Sequence, residues 1–250
     1  MRFFLPIVCF FFCSYSQTVA HLEKTIFLET DNFVGCDYDF NIYYFSNTIL
    51  SKKTEQKVFS YSNFIYGNIS SVDITNPLNI VVFYRDFNIV IILDSQLNET
   101  DIIQLPYDIS FVTKGAVNHI WLLTRNMQTI ENYNFRTKTV VSKTQPLTNT
   151  VILNMKSTEN YVYLHTKSGI QTFDYLGNFI KEHIDKNIDC FQYNNRILYI
   201  LYKDTLYKVN DSINPIKLTK QLKIENFHII NNHFFIFDGI ELYLFSIRKK

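Results

Sequence analysis

The chain has 250 residues, of which 47% are hydrophobic and 19% are charged, so it is long and apolar enough to fold around a sizeable core. Its formal net charge is only +1, which disfavours non-specific binding to nucleic acid or to an anionic membrane surface, since both need clustered basic groups. Aromatic residues make up 16% of the chain and there are only 6 glycines, which favours strands whose turns are made by Asn, Asp and Ser.

The first residues have the layout of a signal peptide. Arg2 supplies a positive charge, residues 3–13 form an apolar run, and Ser14 and Ser16 are small residues at a suitable cleavage position. We predict that residues 1–16 are a signal peptide, whose removal leaves equal numbers of basic and acidic side chains. The apolar run is too short to span a membrane and no second long run follows, so the sequence predicts no transmembrane segment.

The rest of the chain repeats one pattern, in which a polar residue is followed by a short apolar run, a tight polar turn and a second apolar run. The first apolar residues of the six copies are Ile42, Ile80, Ile120, Tyr161, Ile197 and Phe234. They are 36 to 41 residues apart, and this regular spacing indicates a structural repeat.

Each copy contains four short apolar or alternating runs bounded by turn residues, which predicts four antiparallel strands. Such a unit cannot cover both its faces alone, and copies arranged in a ring leave only short edges. We therefore predict an all-β fold: one domain at 17–250, folded as a six-bladed β-propeller of four-stranded blades. The predicted blades are 31–67, 68–106, 107–147, 148–184, 185–222 and 223–250, the last completed by an N-terminal strand at 23–30.

Two segments carry a resemblance to a known superfamily. The segments "FDYLGNFIKEHI", from Phe173, and "ILDSQLNETDIIQL", from Ile92, resemble the corner between the third and fourth strands in six-bladed propellers of the NHL, TolB and SMP-30-like superfamily. The signature of WD40 propellers is missing, because the only tryptophan, Trp121, is followed by Leu122. The resemblance implies the same fold.

Motifs for phosphate-binding loops, nucleophile elbows and common zinc sites are absent from the sequence. Resemblance to the SMP-30-like group implies that a divalent cation such as Ca²⁺ could be held in the central channel by carboxylates and amides, which are the ligands hard cations prefer. The candidate metal ligands are Asp37, Asp73, Asn154 and Asp189. The alternative is that these side chains cap turns and that the protein needs no cofactor. Asp39, Glu225 and His228 are further polar residues expected near the channel.

Cysteine and aromatic residues leave two further questions open. Cys36 and Cys190 remain after removal of the signal peptide, and they either pair or act as two small buried side chains. Most aromatic residues lie at alternating strand positions and are expected in the core. Tyr84, Arg85 and Phe87 lie beside a predicted turn and match the composition of protein-binding hot spots, so they are candidates for contacting a partner.

The sequence supports three functions in competition. The leading interpretation is an exported, non-catalytic β-propeller that acts as a protein-binding or scaffolding module in the bacterial cell envelope. It would be periplasmic or outer-membrane-associated, a monomer in isolation, and bound to another envelope protein. The alternatives are a channel-centred, metal-dependent hydrolase resembling a lactonase and a receptor for a carbohydrate or another small ligand.

Overall fold

The computed structural model describes residues 18–148, 150–184, 188–210 and 212–247, so the predicted signal peptide lies outside the described residues. All regular secondary structure in these residues is β-strand. No helix in this part of the chain is long and apolar enough to cross a membrane.

Most strands belong to four separate sheets of four antiparallel strands, and each sheet keeps its strands in chain order. The chain begins with β1, Thr18–Phe27, which belongs to none of these four sheets. The four sheets contain, in order, β2 (Asn32–Cys36), β3 (Ile42–Ser46), β4 (Ile49–Lys53) and β5 (Val58–Ser62); β6 (Ser71–Asp73), β7 (Ile80–Tyr84), β8 (Ile89–Leu93) and β9 (Glu99–Gln104); β10 (Ile109–Lys114), β11 (His119–Thr124), β12 (Ile130–Asn134) and β13 (Thr139–Lys143); β14 (Ile152–Ser157), β15 (Tyr161–Thr166), β16 (Gly169–Asp174) and β17 (Phe179–Ile184).

The remaining strands form one sheet of eight strands in the order β18-β19-β20-β21-β1-β24-β23-β22. Its two edge strands, β18 and β22, contact each other, so the sheet folds back until it is nearly closed. Apart from β1, it contains β18 (Cys190–Asn194), β19 (Ile197–Tyr202), β20 (Thr205–Val209), β21 (Ile213–Leu218), β22 (Asn226–Ile230), β23 (His233–Phe237) and β24 (Glu241–Ile247).

Six strands lie on the inside of a ring. They are the first strands of the four separate sheets (β2, β6, β10 and β14) and the two edge strands of the eight-stranded sheet (β18 and β22). β10 contacts β6 and β14, and β22 contacts β2 and β18, so the inner strands surround a central channel. In the four separate sheets the fourth strand is the outer edge. This arrangement is a β-propeller.

The strands of the second sheet show why the sequence forms such a ring. On β7, Ile80, Val82 and Tyr84 pack toward the first sheet, whereas Val81 and Phe83 pack toward the third. All five side chains are buried, so the strand reads as a continuous apolar run and not as an alternating one. A sheet that is apolar on both faces needs a neighbour on each side.

The hydrophobic core is divided among six clusters, one at each junction around the ring. Full burial of each large aliphatic or aromatic side chain contributes about 1.5–3 kcal/mol. Representative pairs across successive junctions are Leu50 and Val82, Val90 and Leu122, Trp121 and Leu164, Ile170 and Leu198, Leu206 and Phe234, and Phe237 and Phe33. Because the last cluster joins β23 to β2, the ring of apolar contacts is complete.

The corners quoted for the superfamily resemblance have a shared hydrogen-bond pattern. Asp94 Oδ1 accepts the backbone N–H groups of Gln96 and Asn98 at 2.8 and 2.9 Å, and Asp94 Oδ2 accepts Asn98 Nδ2 at 3.0 Å. Asp174 and Asn178 repeat the arrangement. The hydrogen bonds from Asn98 also lower the pKa of Asp94. An aspartate four residues before an asparagine therefore fixes the turn between the third and fourth strands.

The prediction of six separate four-stranded blades is wrong, because β1 joins two strand groups into the eight-stranded sheet. Ala20 to Phe27 pair antiparallel with β24, so the predicted pairing of an N-terminal strand with the end of the chain is observed. β1 also begins before the predicted strand 23–30, and its residues Thr18 to Ala20 pair parallel with β21. One strand thus hydrogen-bonds on both its edges, which removes the boundary between the last two predicted blades.

Ala20 provides a test of this junction, since it pairs with both β21 and β24 and is 0% exposed. Ala20→Leu is expected to lower the free energy of unfolding in urea by about 1–3 kcal/mol, because the added carbon atoms overpack a filled space. Thr25→Leu, on an exposed part of the same strand, is the control and should change stability by less than about 0.5 kcal/mol. Equal effects of the two substitutions would show that the junction is not tightly packed.

Candidate functional site

The central channel is lined by polar side chains from the inner strands. They occupy alternating strand positions and are half-buried, so they lie deep in the molecule but remain accessible to water. The members of this channel cluster are Asp73 on β6, Asn154 and Lys156 on β14, Cys190, Gln192 and Asn194 on β18, and Asn226 and His228 on β22.

His228 is held as a neutral imidazole by a chain of hydrogen bonds. The backbone N–H of Ile229 donates to Gln192 Oε1 at 2.7 Å, which orients the Gln192 amide so that its Nε2 donates to His228 Nδ1 at 3.2 Å. The other ring nitrogen, Nε2, therefore carries the proton of the neutral imidazole. Burial, and secondarily the charge of Lys156, lowers the pKa of His228 to about 3.

A glycine makes room for this imidazole. Gly35 has φ of +155°, and a Cβ atom there would clash with the His228 ring. Any side chain at Gly35 would therefore displace the ring from its hydrogen bond with Gln192. The position of His228 is thus determined by β2 and β18 as well as by its own strand.

Lys156 extends across the channel toward groups on other strands. Its Nζ lies 5.8 Å from the centre of the Phe191 ring, and its charge acts on His228 of β22 and on Asp73 of β6. Burial lowers the pKa of Lys156, while Cys190 and Asp73 oppose that shift. Burial also raises the pKa of the Cys190 thiol to about 11, so this thiol stays protonated near neutral pH.

Asp37, the first of the four predicted metal ligands, is used by the turn between β2 and β3. Its carboxylate accepts the backbone N–H groups of Asp39 and Asn41, Asn41 Nδ2, and the Tyr43 hydroxyl, all at 2.9 to 3.1 Å. Lys52 Nζ lies 3.7 Å from Asp37 Oδ2 and forms a buried ion pair with it. This carboxylate therefore acts as the centre of a buried turn.

The other three predicted ligands also have local hydrogen bonds. Asp73 accepts the backbone N–H groups of Thr75 and Lys114 at 2.7 and 2.8 Å and so links two neighbouring sheets. Asn154 Oδ1 accepts the N–H of Met155, and Asp189 Oδ2 accepts the N–H of Lys203.

The four predicted ligands are not brought together. Asp189 precedes β18, whereas Asp37 follows β2 and Asp73 ends β6, so they lie toward opposite ends of the channel. Among the described residues, no group of three or more His, Cys, Asp or Glu side chains is placed to hold a metal ion. Cys36 and Cys190 are both free thiols.

The predicted partner-binding residues separate into one buried and two exposed side chains. Tyr84 is 0% exposed and packs in the core between the first two sheets, so it cannot contact a partner directly. Arg85 and Phe87 lie in the exposed turn between β7 and β8, and Phe87 is 50% exposed.

Phe87 belongs to a larger exposed apolar surface that the sequence did not indicate. The connection from β5 to β6 carries Phe64, Ile65 and Tyr66, and the Tyr66 ring lies between those of Tyr84 and Phe87, with centroids 5.6 and 6.0 Å away. Phe64 and Ile65 are 78% and 73% exposed. We call Phe64, Ile65, Tyr66 and Phe87, with the neighbouring Arg85, the aromatic patch.

Sequence reasoning identified His228 as a channel residue but missed Lys156 and Gln192. The period of two along "NMK" in β14 could have placed Lys156 on the same side of its strand as Asn154, which was predicted to face the channel. For Gln192 and Gly35, the sequence holds no local signal, because their role depends on contacts with a distant strand.

The first test of the site distinguishes a structural from a metal-binding role for Asp37. Asp37→Ala is expected to lower the free energy of unfolding by about 3–5 kcal/mol, because it leaves buried Lys52 and several N–H donors without their acceptor. Asp39→Ala, an exposed neighbour whose side chain makes none of these bonds, should have little effect. A loss of wild-type stability on adding a chelator would instead indicate that the carboxylate holds a cation.

The second test uses the acid dependence of stability. The pKa of His228 is lowered in the folded protein from 6.5 to about 3, so the unfolded chain takes up a proton between these values that the folded protein does not. Stability is therefore lost as the pH falls below about 6.5, by up to about 1.4 kcal/mol per pH unit for this group. Denaturant titrations between pH 7 and pH 5 should show a flatter profile for His228→Gln.

His21→Gln is the matched control for the pH series, because His21 is exposed on β1. This variant should keep the wild-type slope. An unchanged slope in His228→Gln would show that His228 is protonated in the folded protein.

No family model matches the sequence, and no curated protein matches it. The fold is similar to solved structures. A streptogramin B lyase has a TM-score of 0.60 at 10% identity, with 90% of this chain and 98% of that chain covered. BamB from Moraxella catarrhalis has a TM-score of 0.55 at 12% identity, covering 91% and 100%. BBS1N in complex with ARL6DN has a TM-score of 0.59 at 8% identity, covering 87% and 78%.

Identities this low show the fold alone. The structural neighbours include β-propeller proteins, and the chain is an all-β propeller with four four-stranded sheets and one nearly closed eight-stranded sheet.

Proposed function

We propose that this protein is an exported, non-catalytic β-propeller that binds another protein of the bacterial cell envelope through the aromatic patch. The patch is the observation that carries the proposal. Phe64 and Ile65 are 78% and 73% exposed and directly precede Tyr66, whose ring packs against that of Phe87, which is 50% exposed. Contiguous apolar side chains of this kind are unfavourable in water and mark surfaces that bind a partner.

The patch is held in place before any partner binds. Asn63 Oδ1 accepts the N–H of Ile65 at 3.0 Å, which fixes the turn that presents Phe64 and Ile65. In the turn between β7 and β8, which carries Phe87, the backbone N–H of Arg85 donates to Ser70 Oγ at 3.0 Å. An ordered surface loses little conformational freedom on binding, so more of the contact energy remains as affinity. Aromatic side chains beside an arginine also match the composition of binding hot spots.

Two further observations support the proposal. The N-terminal sequence, with Arg2 followed by a short apolar run and small residues, is typical of export. One structural neighbour, BBS1N, was solved in complex with another protein, ARL6DN. A propeller of this kind would be periplasmic or outer-membrane-associated, and it would need no cofactor to bind its partner.

The test is in-cell crosslinking and affinity purification of the C-terminally tagged protein from its own host, followed by identification of the crosslinked protein. Phe64→Ser combined with Ile65→Ser is expected to weaken binding by about 30-fold, because truncating hot-spot residues costs about 2 kcal/mol or more. Both side chains are exposed, so the melting temperature should stay near that of the wild type.

Leu78→Ser and Val117→Ser are the matched controls, since these exposed apolar residues, at 69% and 80%, lie in other turns. They should leave the crosslinked partner unchanged. Retention of the partner by the patch variant would contradict the proposal. Cell fractionation and the intact mass of the purified protein test export independently, with loss of residues 1–16 expected.

A further inference from the structure

Lys156 differs from the other lysines that point into the protein. Lys52 Nζ lies 3.7 Å from Asp37 and donates to the Ser95 carbonyl oxygen at 3.0 Å. Lys114 Nζ donates to three backbone carbonyl oxygens, of which that of Gly115 is 3.0 Å away. Among the described residues, Lys156 Nζ has neither an ion-pair partner nor a hydrogen-bond acceptor.

Asp73, the acidic residue of the channel cluster, already uses both its carboxylate oxygens in hydrogen bonds. The two carboxylate oxygens of Asp73 accept the backbone N–H groups of Thr75 and Lys114 at 2.7 and 2.8 Å. Its charge favours the ammonium form of Lys156 from a distance, but the two groups are not within ion-pair contact.

The remaining neighbours of Lys156 are neutral. His228 is a neutral imidazole whose Nδ1 accepts a hydrogen bond from Gln192. Cys190 is a protonated thiol. An ammonium group whose neighbours are neutral gains a charge-assisted hydrogen bond when a small anion joins it. The channel therefore has one positive charge for which the described residues provide no contact partner.

We propose that the channel is a binding site for a small monocarboxylate, whose carboxylate group pairs with the Lys156 ammonium group. A single negative charge matches the single unpaired cation. A doubly charged anion would bring an excess negative charge close to Asp73, which disfavours phosphate or a dicarboxylate. The half-burial of Lys156 and its neighbours shows that water-sized species reach the site.

The test uses propionate as the probe, at pH 6.0 and constant ionic strength, with binding measured by saturation-transfer NMR of its methyl protons. Wild-type protein should bind propionate saturably and should not bind propionamide, which has nearly the same shape but no charge. Lys156→Met, which keeps the length and apolar stem of the side chain, should bind propionate at least tenfold more weakly. Lys156→Arg, which keeps the charge, should retain binding.

Lys223→Met is the matched control, because Lys223 is an exposed lysine outside the channel. It should bind propionate as the wild type does. Melting curves establish that each variant is folded, and Lys156→Arg keeps the test decisive if Lys156→Met does not fold. No saturable binding by folded wild-type protein, or equal binding by Lys156→Met, would overturn the proposal.

A second probe identifies the source of the carboxylate. Acetyl-Gly-Ala with a free C-terminal carboxylate carries the same group on a chain terminus. Competition of this peptide with propionate would show that the channel receives a peptide end, whereas binding of propionate alone would show that it receives free small acids. Either result supports a carboxylate site at Lys156.

Discussion

The structure depends on one constraint, which is that its sheets are apolar on both faces. β7 and β8 each have five consecutive buried side chains, and alternate residues pack against different neighbouring sheets. A row of such sheets would leave an apolar face exposed at each end. A ring leaves none, and the contact of Phe33 on β2 with Phe237 on β23 completes it, with ring centroids 6.0 Å apart.

The ring in turn creates the channel and determines its chemistry. The inner strands meet edge to edge around the axis, so the side chains that cannot pack into a junction project into a narrow, hydrated space. Amide side chains and a neutral imidazole satisfy one another there, as the Gln192 and His228 hydrogen bond shows. Lys156 is not satisfied in this way, which separates it from the structural polar groups around it. The aromatic patch lies outside the channel, so the two candidate binding sites use different parts of the fold.

The sequence predicted the repeat and the strands well, because each depends on local patterns. Ile42, Ile80 and Ile197 were predicted as starts of second strands, and β3, β7 and β19 begin at these residues. The eight-stranded sheet was not predictable in this way, since it arises from Thr18 to Ala20 pairing with a strand about 200 residues later in the chain. Tyr84 was predicted to contact a partner but lies in the core, because the sequence beside a turn does not distinguish a buried aromatic residue from an exposed one. The neutral state of His228 could not be predicted either, because it depends on burial and on a hydrogen bond with Gln192 from another strand.

The double pairing of β1 also constrains the order in which the protein can fold. Leu22 donates a backbone hydrogen bond to Thr219 across 197 residues of sequence, and the longer pairing is with β24, at the end of the chain. β1 must therefore wait until β24 has been synthesised before its main pairing can form. Until then its edges are open to strands of other molecules. Contacts of such long sequence separation make folding slow, so closure of the ring is the step at which this chain is most exposed to misassembly.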